Sequence, residues 1–177
     1  RQILMEDFAE DAELAGRLRD YLWENGVLFS SVVEGKAQAG AKFADYFDYR
    51  EPIKKIPSHR ALALFRGRNE AVLNLELKAG DGPEPEAVCQ QMIAERFGIV
   101  NLGRPADPWL AETVRWAWRV KLFTRLDLEL KARLREAAEE EAIRVFALNL
   151  KDLLLAAPAG PMSIIGLDPG LRTGVKL

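Results

Sequence analysis

Along the first 25 positions, Ile3, Leu4, Phe8, Leu14, Leu18, Tyr21 and Leu22 recur at intervals of three, four and seven among acidic residues. That spacing predicts helix. Asn25-Gly26 predicts its end, because both residues tolerate the left-handed conformation that closes many helices. A weaker helical pattern covers 35–49 and carries Phe43, Tyr46, Phe47 and Tyr49. So dense an aromatic group reads as core or, if the rings are exposed, as a platform for stacked bases. Pro57-Ser58-His59-Arg60 predicts another helix start with Ser58 as N-cap. That helix turns Leu62, Leu64 and Phe65 inward and ends near 66–70. From Val72 to Lys78 the period drops to two, with Leu73, Leu75 and Leu77 on one side and Asn74, Glu76 and Lys78 on the other. This alternation predicts a half-buried strand.

Asp81-Gly82-Pro83-Glu84-Pro85 has the composition of a linker. A short helix follows from about 86 to 97, and after a second break Asp107 is placed as N-cap with Pro108 in the first helical position. Trp109 to Ala156 contains neither Gly nor Pro. One rod of that length would measure about 70 Å at 1.5 Å per residue. Thr124 and Asp127 are therefore read as the cap of a restart, giving helix–bend–helix. Glu139-Glu140-Glu141 reads as a solvated face, and the Pro/Gly stretch from Ala156 to Pro161 closes the helical part.

Composition narrows the chemistry. A net charge of −2 provides no overall attraction to a phosphate backbone, so nucleic acid would need a local patch. His59 and Arg60 with Arg66 and Arg68 form the best cluster, since residues seven apart share a helix face and Gly67 permits close approach. The same arginines could instead pair with Asp45, Asp48 or Glu51. A second row, Arg115, Arg119 and Lys121, alternates with Trp116 and Trp118. His59 is the single histidine and has no second imidazole or cysteine to share a zinc ion. The single cysteine, Cys89, excludes an internal disulfide, fits a reducing cytosol and reads as a small buried hydrophobe. The apolar run 153–167 is too short and too Pro-broken to span a membrane. The absence of an initiator Met and the abrupt end suggest a piece of a longer polypeptide.

The last fifteen residues read as a strand that delivers Asp168 to a Pro169-Gly170 turn, followed by the start of a second strand. Ribonuclease H-like nucleases begin in a similar way. Asp, Pro and Gly are also ordinary turn residues. Two-metal phosphodiester cleavage needs several carboxylates around ions about 4 Å apart, so a single Asp predicts neither catalysis nor a metal site within these residues. Strands at 163–167 and 174–177 would be bare edges, expected to fray, to pack on the helical body, or to pair with another chain.

Four stretches together carry a resemblance: Phe43 to Tyr49, Pro57 to Glu70, Leu153 to Gly160 and Gly166 to Gly174. Their sequences and order resemble the Tex family of bacterial transcription accessory proteins. The resemblance implies a large cytoplasmic protein that binds nucleic acid, with a helical N-terminal region, a YqgF/RNase H-like domain, helix-hairpin-helix modules and an oligonucleotide-binding barrel. In those terms residues 1–160 belong to the helical region, with a sub-boundary near 80–86, and 161–177 open the RNase H-like domain. The expected fold is mainly α and multi-helical, with a short β element and the first strand or strands of a truncated α/β domain. Asp168 takes the first acidic position of the RNase H-like motif, degenerate here and not counted as catalytic. His59, Arg60, Arg66, Arg68 and Arg172 are the candidate nucleic-acid contacts, and no cofactor is implied.

Three readings follow. The first is a non-catalytic helical scaffold whose nucleic-acid-binding modules lie elsewhere, with the transcription machinery as a further partner. The second is part of a YqgF/RuvC-like nuclease with Asp168 as one metal ligand. The third is a protein-docking domain using Trp109, Trp116 and Trp118.

Overall fold

The structure, a computed structural model, describes residues 1–158, 160–170 and 174–176. The chain divides into two compact units, Arg1–Ile143 and Arg144–Leu177.

The first unit opens with two helices where the spacing suggested one, α1 (Gln2–Glu10) and α2 (Ala12–Asn25). Asp11 separates them. Its backbone is extended, and its carboxylate accepts the Leu14 amide at 2.7 Å, so it caps α2 and cannot continue α1. Leu14, Leu18 and Leu22, spaced by four, are fully buried on one face of α2. Gly26 stops this helix in an extended conformation (φ −67°, ψ 144°), not the left-handed one expected. A Cβ there would lie 2.3 Å from the Leu22 carbonyl oxygen, so close approach explains the glycine.

Three strands follow: β1 (Val27–Val32), β2 (Asp48–Pro52) and β3 (Leu73–Lys78). They form an antiparallel sheet in the order β2-β1-β3, with Phe29 between Arg50 and Glu76. The helix expected over 35–49 is overturned. Those residues make a 3₁₀ turn at Ala41–Tyr46 and then enter the edge strand β2, where Pro52 costs no ladder bond. Pairing with β1 outweighed the weak helical spacing. Phe43 is buried, while Tyr46, Phe47 and Tyr49 are half-buried against the core. β3 follows the predicted alternation, with Leu73 and Leu77 buried and Asn74 and Glu76 exposed.

Between β2 and β3 lies α3 (Ser58–Asn69). Pro57 holds its N-cap position and its carbonyl accepts the Ala61 amide at 3.0 Å, so Ser58 is already helical and makes no side-chain cap. The helix ends in a Schellman motif: Val72 donates to the Gly67 carbonyl at 2.9 Å and Ala71 to Arg68 at 3.0 Å. The C′ residue is Ala71 at φ 53°, a conformation that favours glycine.

After α4 (Ala87–Arg96), α5 (Asp107–Trp116) passes through a π-helical segment, Ala117–Leu122, into α6 (Phe123–Leu154). The helical backbone runs through without interruption. Thr124 does not cap a restart; its hydroxyl donates to the Arg119 carbonyl at 3.2 Å, five residues back. Asp107 does not cap α5 either. Its buried carboxylate turns back to accept the Leu102 and Arg104 amides and the Arg104 guanidinium, at 2.7–2.9 Å, and pins the preceding loop.

Every fourth residue from Val114 is buried: Val114, Trp118, Leu122, Leu126, Leu130, Leu134 and Ala138. In a 3.6-residue helix each such step overshoots a full turn by about 40°, and the π turn, with its i→i+5 bonds, absorbs part of that drift. Beside this stripe, Lys131 is buried and donates to the Leu75 carbonyl of β3 at 3.0 Å and to Asp127 at 2.9 Å.

In the second unit, the end of α6 is followed by irregular chain and a two-stranded antiparallel ladder, β4 (Asp168–Pro169) with β5 (Val175–Lys176). The strand expected over 163–167 is not formed: those residues are exposed and irregular, because a strand without neighbours leaves its amides and carbonyls unpaired. None of the helices among the described residues is long and apolar enough to cross a membrane.

Candidate functional site

The basic residues singled out on α3 do not form one patch. His59 and Arg66 are seven apart and share an exposed side, whereas Arg66 and Arg68 are two apart and point about 200° from each other around the helix axis. Arg66 borders a depression of about 410 Å³ with Lys42, Phe43 and Tyr46. Arg68 borders another, of about 380 Å³, with Leu128, Lys131 and Arg135.

Two of their charges, on Arg60 and Arg66, are already engaged. Arg66 donates to Glu70 at 2.9 Å, and Lys42 meets the same carboxylate at 2.6 Å. These two cations, Lys42 first, hold the Glu70 carboxyl below its usual range. Arg60 donates to Glu51 at 3.3 Å, and the Tyr49 hydroxyl donates to Glu51 as well. Burial, and then that carboxylate, push the Tyr49 phenol up to about 12. Arg68 lies 5.7 Å from the Phe65 ring centroid. His59 is exposed in the first turn. Gly67, thought to admit a ligand backbone, is buried against β3: a Cβ there would sit 2.4 Å from Leu73 Cδ1. Arg172 lies outside the described residues.

Asp168 is exposed at the start of β4, opposite Lys176 in register, and the Gly170 amide donates to the Gly174 carbonyl at 3.0 Å to close the turn. Among the described residues, no three His, Cys, Asp or Glu side chains are grouped to hold a metal ion. Cys89 is fully buried, and burial followed by the nearby Glu86 raises its thiol to about 12, so it is a packing residue.

The tryptophan row separates in the same way. Trp118 is completely buried, 5.2 Å from the Phe123 ring, and its indole N–H meets no acceptor among the described residues. It is therefore not a docking residue. Trp109 and Trp116 are 41% and 50% exposed. Arg119 pairs with Glu86 at 3.2 Å and Lys121 with Glu6 at 2.8 Å, while Arg115 has no such carboxylate among the described residues. The missed feature is the π segment, which separates outward Trp116 and Val120 from inward Ala117 and Trp118. The four-residue apolar spacing around it was the available signal.

Comparison with known proteins adds a family assignment. A family model described as "Tex central region-like" matches residues 1–146. "Protein YhgF" of Escherichia coli (strain K12) is 56% identical over 180 residues, covering 100% of this chain and 23% of that protein. "Transcriptional accessory protein Tex" of Neisseria gonorrhoeae is 55% identical over 179 residues, covering 99% of this chain and 23% of that protein. The human "S1 RNA-binding domain-containing protein 1" is 31% identical over 137 residues, or 77% of this chain and 14% of that protein. The chain thus spans under a quarter of the length of these relatives.

Proposed function

The chain belongs to the Tex family, and we propose that it is a non-catalytic helical framework within a cytoplasmic transcription accessory protein that binds nucleic acid mainly through modules outside these residues. The names of its relatives support the transcription and RNA side of this reading, since one is a transcriptional accessory protein and another an RNA-binding-domain protein.

The observation that carries the framework role is where the charged side chains go. Arg19 of α2 reaches Glu129 of α6 at 2.7 Å, Lys121 reaches Glu6 of α1 at 2.8 Å, and Arg96 of α4 reaches Asp11 at 2.8 Å. Each joins elements far apart in sequence. Half-exposed pairs of this kind contribute at most about 1 kcal/mol, so they set helix register more than they add stability. A cation held between helices in this way is not free for phosphate. Arg68, beside Phe65, and the exposed His59 are the α3 residues best placed for the remaining contact, with Arg172 carried over from the family motif.

Titration of single- and double-stranded nucleic acid at two salt concentrations tests this. Binding by the isolated chain should be weak, with log K falling by about 0.9 per phosphate neutralised for each decade of salt. Tight binding that ignores salt would overturn the proposal.

A further inference from the structure

Three open depressions on the first unit, of about 530, 320 and 310 Å³, all include Arg115 of α5 in their walls. The widest runs between the proline loop 83–85 and Arg119. The second is bordered by Trp116 and Val120, and the third has Ile99, Val100 and Val114 in its walls. Exposed apolar side chains border them: Val100, Trp116 and Val120 are between 49% and 56% exposed. Exposed apolar side chains gathered on one face mark an interaction surface more often than a free one.

Charge narrows the occupant. Glu112 is taken by Arg1 at 2.8 Å and Glu86 by Arg119 at 3.2 Å, which leaves Arg115 as an exposed cation without an ion-paired carboxylate among the described residues, in the walls of all three depressions. Glu84, Glu86 and Glu112 share these walls, which disfavours a phosphate backbone, whose affinity comes from neutralising several phosphates at once. A single carboxylate beside apolar side chains fits better, because an arginine fork takes a carboxylate in two parallel hydrogen bonds.

We propose that this α5 face docks a peptide segment of a protein partner that presents apolar side chains to Trp116 and Val120 and one carboxylate to Arg115. The proposal is independent of the framework role, which would survive its failure.

The test is selection of a displayed random-peptide library on the full chain, followed by titration of the selected peptides. Selected sequences should combine apolar residues with an Asp or Glu. Their affinity should fall about tenfold in Arg115→Gln and in Trp116→Ala, the loss expected when one anchor of an interface is removed, with thermal unfolding unchanged. If Trp116→Ala unfolds the chain, Val120→Asp takes its place. Failure to select any peptide, selection of basic sequences, or affinities that ignore these variants would overturn the proposal. So would an oligouridylate that binds the chain and is lost in Arg115→Gln while no peptide binds, which would give the face to nucleic acid.

Discussion

Two stretches of one helix behave oppositely. Up to Ala138, α6 buries Leu126, Leu130, Leu134 and Ala138 at intervals of four. From Arg144 on, in the second unit, Phe146, Leu150, Leu153 and Leu154 repeat a similar apolar spacing, yet they are between 42% and 74% exposed. Amphipathic spacing declares a face, but only packed neighbours turn that face into stability. Burying a leucine stabilises by about 1.5–3 kcal/mol, and that gain is absent where the face meets water.

The comparison can be broken most directly by matched truncations. Leu126→Ala should cost about 2–5 kcal/mol in denaturant unfolding, because a fully buried leucine leaves a cavity. Phe146→Ala should stay within about 0.5 kcal/mol, as for surface changes generally. Equal costs would show that the second stretch is buried in solution. A smaller contrast comes from glycines. Gly67→Ala forces a Cβ onto Leu73 and should cost about 1–3 kcal/mol. Gly166→Ala, with nothing within 4 Å of its Cβ, should leave the unfolding curve unmoved. A last, modest effect has the opposite sign. Ala71→Gly relieves a left-handed alanine at the end of α3 and should stabilise the first unit by up to about 1 kcal/mol. A loss of stability there would mean that the Schellman turn does not form.

Much of the fold was legible. The α2 leucines, the alternation of β3 and the short helix α4 follow from period alone. The 35–49 stretch was misread because a weak helical spacing carries no record of β1, the partner that recruits Asp48–Pro52 into the sheet. The site was less legible. Proximity in sequence suggested a basic cluster on α3, but helix geometry sends Arg66 and Arg68 to different sides, and Glu70 and Glu51 engage Arg66 and Arg60. Trp116 and Trp118 looked alike in sequence, and the π turn made one a surface residue and the other core.

By itself, the sequence determined the Tex family and the mainly helical class. Those depend on residue identity, spacing and order, which the chain carries locally. Only the tertiary structure decided which cations were engaged and which apolar faces were covered. Ion pairs such as Arg19 with Glu129 join residues 110 apart, and burial is a property of neighbours, so neither is written at a single position.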